Sequence, residues 1–286
     1  MKNNLIIPLD SDIGKQLHEA SKSQRAIFFA GLPGAGKSLF LQQLTIMAHN
    51  EGRRIHLMRW DGVRVAFETP ELLLKYPEIN GFTDPVIRKA VGVWARKGMA
   101  DWHNTHSNEK DLLVGELQIV GNRLVELVQP LNDPLEPLLR SSKVKFFVPV
   151  PSKNIRKRIE ELRTASIANP KHEKETRDAP INVVRTNWKE VYQLAVELGI
   201  AKPCSGIPNY EPKIYEATYS HLLQHRNFKI LDINTMFPAK KSVYDFDIEI
   251  HDLSANTSEV TKAFDTVEEQ YTAKTLKKAV KGWGNV

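Results

Sequence analysis

Short apolar runs alternate along the chain with longer segments in which apolar residues recur at helical spacing. A short apolar run between polar or turn residues is typical of a strand that is buried on both faces. Such runs predict five strands, at residues 26–30, 54–61, 112–114, 144–150 and 228–233. Because helical segments separate these strands, the pattern predicts an α/β fold: a mainly parallel, five-stranded sheet with helices on both faces, in three α/β/α layers.

The helical segments have apolar residues at intervals of three and four, as expected for one buried helix face. They lie at residues 11–23, 39–50, 121–131, 152–168, 187–198, 210–225 and 257–283. Residues 70–106 predict two or three further helices. Residues 169–182 are polar and contain prolines, which is typical of a mobile lid or a partly disordered segment.

We therefore expect one domain over residues 1–286. Its core would occupy residues 24–235, and a helical lid would occupy residues 152–182. The helical pattern near the end of the chain predicts a C-terminal extension at residues 254–286.

Composition narrows the class of protein. With 41% hydrophobic residues in 286, the chain can bury a substantial core. A single cysteine, Cys204, excludes an internal disulfide and a cysteine-based metal cluster. The first residues lack the apolar run of a secretory leader, and no segment is apolar enough to span a bilayer, so we expect a cytoplasmic protein with no membrane partner.

One motif carries specific chemistry. Residues 31–38 read Gly-Leu-Pro-Gly-Ala-Gly-Lys-Ser and match the phosphate-binding pattern G-x-x-x-x-G-K-S between a predicted strand and a predicted helix. In such a loop, Lys37 reaches the β- and γ-phosphates and the Ser38 hydroxyl ligates Mg²⁺. The residues expected to hold the nucleotide are Gly31, Leu32, Pro33, Gly34, Ala35, Gly36, Lys37, Ser38 and Leu39.

Acidic residues follow the second and third predicted strands. Asp61 closes one and Glu116 follows the other. Carboxyl ends of parallel strands share one edge of a sheet, where ligands bind, so both carboxylates should lie near the loop. Asp61 would orient an acceptor hydroxyl or take its proton, with Arg64 gripping an anionic group of the acceptor. A strand-end turn is the alternative, since Asp61–Gly62 is a common turn dipeptide.

The segment after the fourth predicted strand is strongly basic. Arg156 and Arg163 lie two helical turns apart, so both could face one site and close over phosphate groups. An ordinary solvated helix, with Arg156 paired to Glu160, is the alternative. Arg123 is likewise open to two interpretations, as a contact for an acceptor phosphate or as an ordinary helical arginine.

Taken in order, these parts resemble the small-molecule and nucleotide kinases of the P-loop NTPase superfamily, over residues 24–235. The glycine-rich loop carries the resemblance, together with Asp61-Gly62-Val63-Arg64, which is similar to the Asp-x-x-Arg of shikimate-type kinases, and the arginine-rich helix at the lid position. The resemblance implies ATP and Mg²⁺ as cofactors and a small hydroxyl- or phosphate-bearing acceptor. It also implies catalytic roles for Lys37, Asp61, Arg156 and Arg163, and metal binding by Ser38 and Glu116.

Two other functions remain open. A nucleotide-binding regulatory ATPase is one, because Gly115–Glu116 stands where such kinases more often have aspartate. A nucleic-acid-directed ATPase or end kinase is the other, because the formal net charge is +6 and the C-terminal segment is basic. The same charge also suits an enzyme that handles polyphosphates, so a nucleic-acid partner is possible but not favoured.

Overall fold

Six strands of the described residues form one sheet. The structure, a computed structural model, describes residues 5–79, 81–237, 239 and 241–286, with the backbone alone of Arg177. The strands are β1 (Ala26–Ala30), β2 (Arg54–Arg59), β3 (Asp111–Leu117), β4 (Val144–Pro151), β5 (Phe228–Ile233) and β6 (Ile250–Asp252). Their order in the sheet is β5-β4-β1-β3-β2-β6, and all neighbours pair in parallel.

The α/β class and the parallel sheet predicted from the sequence are confirmed, whereas the number of five strands is wrong. The sixth strand, β6, has three residues and pairs with β2 at the edge of the sheet. A run of that length cannot show an alternating or continuous apolar pattern, which is why the sequence did not reveal it. The second predicted strand also ends earlier than expected, at Arg59.

Helices connect the strands. They are α1 (Asp12–Ser23), α2 (Lys37–Asn50), α3 (Trp60–Val63), α4 (Pro70–Lys75), α5 (Pro85–Thr105), α6 (Glu136–Arg140), α7 (Lys153–Ala168), α8 (Ile181–Glu197), α9 (Pro212–Leu222), α10 (Thr257–Gln270) and α11 (Ala273–Lys281). Short 3₁₀ turns occur at Arg64–Phe67, Val125–Leu127 and Glu173–Arg177. Among the described residues, no helix combines the length and the apolar character that crossing a bilayer requires.

Two of the predicted helices are wrong. Residues 121–131 contain only a 3₁₀ turn, because Asn122 and Leu124 have φ of +62°, and a left-handed residue cannot continue a right-handed helix. The helix predicted at residues 257–283 is two helices. The extended residue Tyr271 ends the first, and Thr272 caps the second, with its hydroxyl accepting a bond from the Thr275 amide.

Apolar side chains cover both faces of the sheet. In β1, Phe28 belongs to one buried cluster with residues of α5, α9 and α10, while Phe29 belongs to a second cluster with residues of α1 and α2. Successive strand residues point to opposite faces, so a short apolar run serves both clusters. The arrangement is compatible with three α/β/α layers.

The centre of the sheet is also the point where the chain changes direction. β1 is flanked by β3 on one side and by β4 on the other. After β1, the chain forms β2 and β3 on one side of β1 and then crosses to form β4 and β5 on the other side. In open parallel sheets, a ligand binds beyond the carboxyl ends of the strands at such a switch point. The glycine-rich residues that follow β1 lie there.

Candidate functional site at the carboxyl ends of the central strands

Glycines shape the turn between β1 and α2. Gly31, Gly34 and Gly36 have φ of +151°, +76° and +86°, a region that residues with a Cβ rarely adopt. Gly31 has a second constraint, because a Cβ there would lie 2.3 Å from the Tyr215 hydroxyl oxygen. Gly36 is the N-cap of α2, so the first turn of this 14-residue helix directs its free amide groups toward the loop.

Side chains from distant elements hold the loop in place. The Tyr215 hydroxyl accepts a hydrogen bond from the Leu32 amide at 3.0 Å. Arg156 Nη1 donates to the Pro33 carbonyl at 2.9 Å, and Arg156 is itself 3% exposed. Residues 31–35 are all buried, while Gly36, Ser38 and Leu39 retain partial exposure. The loop conformation is therefore supported from α7 and α9 and not only by its own sequence.

Lys37, Ser38 and Glu116 form the centre of the site. Glu116 lies next to Phe29 of β1 in the parallel register, which brings its carboxylate to the start of α2. Lys37 Nζ lies 3.4 Å from Glu116 Oε1 and donates to the Leu32 carbonyl at 2.9 Å. The Ser38 hydroxyl donates to Glu116 Oε2 at 3.0 Å. The sequence predicted these three residues to meet, and the structure brings them together.

Burial lowers the pKa of the Lys37 ammonium group. The nearby carboxylate of Glu116 opposes this effect, and the positive charge of Arg163 adds to it. A buried ammonium group that is held by one carboxylate and one carbonyl would gain further favourable interaction from an anion bound at the loop. An anion at the loop would therefore offset part of the cost of burying the Lys37 charge.

Asp61 lies in the short helix α3, after β2, and not in the strand itself. Its carboxylate lies 3.5 Å from Arg64 Nε, and its side chain is 58% exposed. Although water still reaches more than half of this side chain, the protein atoms around the carboxylate remove part of its hydration and so raise the pKa of Asp61. Arg64 opposes the rise, and the charges of Glu116 and Asp178 add to it. Arg64 also donates to Glu68 Oε1 and to the Thr83 hydroxyl, so it is held by the protein on three sides.

Arg156 and Arg163 both project from α7 but have different partners. Arg156 joins the loop to Glu160, with its Nε donating to Glu160 Oε1 at 2.9 Å. The pairing with Glu160 that the sequence indicated is therefore present, and it coexists with the contact to the loop. Arg163 Nη1 lies 3.8 Å from Asp178 Oδ1 and donates to the Ala179 carbonyl. Arg163 has no bond to the loop among the described residues, although its charge acts on Lys37.

The sequence did not reveal two hydroxyl–carboxylate bonds in the neighbourhood of Asp61. The Tyr244 hydroxyl donates to Asp178 Oδ1 at 2.6 Å, and Glu175 Oε1 accepts a bond from the Ser242 hydroxyl at 2.6 Å. These bonds join the polar segment predicted as a lid to residues 242–245. Both segments lack an apolar pattern from which a contact could be predicted. The only signal in the sequence is that one segment offers carboxylates and the other offers hydroxyl groups.

The oxygen atoms of Ser38 and Glu116 match the preference of Mg²⁺. That ion commonly takes one or two protein oxygens and completes its shell with water and phosphate oxygens. Among the described residues, no group of three or more His, Cys, Asp and Glu side chains is arranged to hold a metal on its own. A metal at this site would therefore depend on oxygens of a bound phosphate compound.

Comparison of the chain with protein-family models and with curated protein sequences found no match. Support for a function therefore comes from the geometry of the site.

Proposed function

We propose that the protein is an ATP- and Mg²⁺-dependent phosphotransferase with a three-layer P-loop NTPase fold, acting on a small hydroxyl- or phosphate-bearing acceptor. The observation that carries the proposal is the meeting of Lys37, Ser38 and Glu116 at the amino end of α2, on a loop with three glycines of positive φ. A triphosphate site needs a helix N-terminus, a buried ammonium group and oxygen atoms that can ligate Mg²⁺.

The residues divide the work of phosphoryl transfer. Amide groups of the loop would hold the β- and γ-phosphate oxygens, and Lys37 would offset charge on the transferred group. Ser38 and Glu116 would hold Mg²⁺, which would neutralise part of the charge on the phosphates. Asp61 would take the proton of the acceptor hydroxyl while the hydroxyl oxygen of the acceptor forms a bond to the γ-phosphorus. The bond from that phosphorus to the β–γ bridging oxygen breaks, and ADP leaves.

Arginines complete the charge balance in this proposal. Arg156 supports the loop through its bond to Pro33. Arg163 lies beside Asp178, and if this ion pair separated, Arg163 would be free to approach the phosphates. Closure of such groups over a substrate also excludes water, which limits hydrolysis of ATP. The lid assignment for residues 152–182 belongs to this proposal.

Lys37→Ala tests the proposal directly. We expect loss of ATP turnover by about a hundredfold or more, since one preorganised charge contact to a transition state has an effect of that size. ADP formation is measured with Mg-ATP and a metabolite library, and calorimetry measures ATP binding. Lys277→Ala, at an exposed lysine of α11, is the matched control. Failure of the native protein to bind either ATP or GTP with Mg²⁺ would refute the proposal.

A regulatory ATPase is the second candidate, and one observation favours it. Arg156 and Tyr215 bond to Pro33 and Leu32 of the loop, so a change of the loop on nucleotide binding would be transmitted to α7 and α9 and could report the nucleotide state to a partner. The two functions differ in two readouts, the effect of acceptors on ATP hydrolysis and the effect of nucleotide on the oligomeric state. A regulator hydrolyses ATP at the same rate with or without acceptors and changes its oligomeric state with nucleotide, whereas a kinase needs the acceptor.

A further inference from the structure

The turn that follows β3 has unusual backbone geometry. Ile119, Gly121, Asn122 and Leu124 all have φ of +62°. A left-handed conformation is costly for residues with a Cβ, most of all for a β-branched residue such as Ile119. Backbone strain of this kind persists where the surrounding structure imposes it, often beside functional groups. Gly121 lies at the centre of this strained turn.

Three charged side chains from separate elements converge on Gly121. A Cβ on Gly121 would lie 2.9 Å from Glu190 Oε2, 3.0 Å from Arg88 Nη1 and 3.1 Å from Arg123 Nη1. Arg88 projects from α5, Arg123 from the turn and Glu190 from α8. Glycine at position 121 therefore lets two guanidinium groups and one carboxylate approach the backbone closely, since any side chain there would press against all three.

Arg123 is buried, whereas Arg88 and Glu190 are each partly exposed to solvent. Arg123 is 4% exposed and donates through Nη1 to the Val120 carbonyl, and Arg88 Nη1 donates to the Gly121 carbonyl. Within the part of the chain that the structure describes, Glu190 Oε2 is a buried atom without a hydrogen-bond partner. Arg88 Nε is also buried without such a partner there.

A further buried polar atom without a hydrogen-bond partner among the described residues lies on the same helix as Glu190. Asn187, one turn before Glu190 on the same face of α8, is 1% exposed, and its Oδ1 is buried without a partner among the described residues. Burial lowers the pKa of Arg123 to about 10, and the charge of Arg88 adds to this effect. Buried polar atoms without partners are unfavourable, and a ligand that satisfied them would recover the lost interactions.

The cluster is continuous with the site described above. The Phe82 ring lies 5.7 Å from the Arg123 guanidinium carbon, and the adjacent residue Thr83 bonds to Arg64. Arg64 lies 3.5 Å from the Asp61 carboxylate. A small molecule that contacts the cluster could therefore present a hydroxyl group toward Asp61.

We propose that Arg88, Arg123 and Glu190 form the acceptor-recognition site. The acceptor is then a small molecule with an anionic group, phosphate or carboxylate, for the two arginines, and with a neighbouring hydroxyl or ammonium group that donates to Glu190. This inference rests on the proposed kinase function, and it names the substrate class for that function. Glu190 Oε2 selects for a donor, because a ligand that lacks one leaves this buried oxygen without a hydrogen-bond partner.

Paired probes that differ in the donor alone test the inference. L-lactate is compared with propionate, and O-phosphoethanolamine with ethyl phosphate, with and without a non-hydrolysable ATP analogue and Mg²⁺. Binding is measured by calorimetry and ligand-observed NMR. We expect the donor-bearing member of at least one pair to bind about tenfold or more tightly than its partner, as for a hydrogen bond to a charged group.

Two variants with matched controls assign the effect to the cluster. Glu190→Gln should abolish the difference within a pair, and Arg88→Gln should weaken both members. Glu197→Gln and Arg185→Gln change exposed residues of α8 and should leave binding unaltered. Thermal unfolding of each variant shows whether it is folded. A purely structural cluster would lower the unfolding temperature without changing the discrimination between probes.

The outcomes separate this inference from the proposed function. Equal binding within both pairs, or no binding of any probe, overturns the acceptor site even if Mg-ATP binds normally. Unchanged discrimination in Glu190→Gln also overturns it. Absence of ATP binding with intact discrimination between probes would instead refute the kinase function and leave the anion-and-donor pocket in place.

Discussion

Lys37 and Glu116 show at the scale of single residues how the site is prepared for a charged ligand. The Lys37 side chain is 2% exposed, and its ammonium group donates to the Leu32 carbonyl and forms an ion pair with the Glu116 carboxylate. Glu116 in turn accepts from Ser38. The three side chains depend on one another, because the Glu116 carboxylate pairs with the Lys37 charge and also accepts the Ser38 hydrogen bond. Such interactions are stronger where little water competes for them.

Glu116→Gln tests the metal role. The substitution keeps the shape of the side chain but removes the charge, so we expect the Mg²⁺ concentration that gives half-maximal turnover to rise about tenfold or more. Turnover is measured across a Mg²⁺ titration at saturating ATP. Glu269→Gln, on the exposed face of α10, is the control. An unaltered Mg²⁺ dependence would exclude Glu116 as a ligand or as an orienting group.

The pH dependence of turnover tests Asp61. A base must be deprotonated, so activity should increase as pH rises through the pKa of Asp61. Because the protein environment raises that pKa above its ordinary value of 3.8, the rising limb should lie at higher pH than for an ordinary aspartate. Asp61→Asn should lower kcat and remove the limb. Retention of the limb in this variant would assign it to another group.

At the scale of elements, the two turns that flank α2 illustrate two kinds of constraint on glycine. Gly52, after α2, has φ of +77°. Apart from its two chain neighbours, no atom of the described residues lies within 4 Å of the position that a Cβ would occupy, so its constraint is conformational. Gly31 has φ of +151° and a Cβ there would also collide with the Tyr215 hydroxyl. Gly31 is therefore required both by the backbone conformation of the loop and by the close approach of Tyr215 in α9.

Alanine substitutions separate these constraints. Gly52→Ala should cost about 1 kcal/mol of unfolding free energy, the size of the left-handed penalty. Gly31→Ala should cost more, about 2 kcal/mol or above, because the collision is added. In a Tyr215→Phe background, part of the extra cost should disappear, since the colliding oxygen is gone. Urea denaturation measures the single and double variants, and equal costs of Gly31→Ala in both backgrounds would contradict the collision.

At the scale of the whole molecule, a buried ion cluster joins parts that are far apart in the chain. Arg226, just before β5, donates to Glu136 of α6 at 2.9 Å, and Arg96 of α5 donates to the same carboxylate at 2.7 Å. Arg226 also donates to the Leu127 and Gln129 carbonyls. The cluster therefore fixes the sheet edge and two helices to the segment after the strained turn.

Glu136 should make stability depend on pH. Despite burial, which acts in the opposite direction, bonds from Arg226, Arg140 and Arg96 lower the pKa of Glu136 from 4.5 to about 2. A lowered carboxyl pKa stabilises the fold above the unfolded value, and the stabilisation is lost as pH falls from 4.5 toward about 2. The shift corresponds to about 3 kcal/mol.

Glu136→Gln should therefore lower the free energy of unfolding by about 3 kcal/mol at neutral pH and by much less in acid. Urea denaturation over the acid range gives the comparison, with Glu269→Gln as the control. An equal loss at neutral and acid pH would show that the effect is one of packing and not of charge.

Much of the fold was predictable because buried parallel strands leave continuous apolar runs. The strands β1, β2, β3, β4 and β5 were found in this way. The short strand β6 and the turn at residues 119–124 were not, because the first is stabilised by pairing with β2 and the second by contacts around Gly121. Neither depends on a local pattern that a sequence can display.

The sequence by itself determined the glycine-rich turn, the strand before it and the helix after it, because glycine conformations and apolar periodicity act over a few residues. It also indicated that Glu116 would lie near Ser38, since neighbouring parallel strands end at one edge. Only the tertiary structure decided that Tyr215 and Arg156 support the loop and that Arg88, Arg123 and Glu190 meet. Those contacts join residues far apart in the chain, and their geometry depends on how the helices pack.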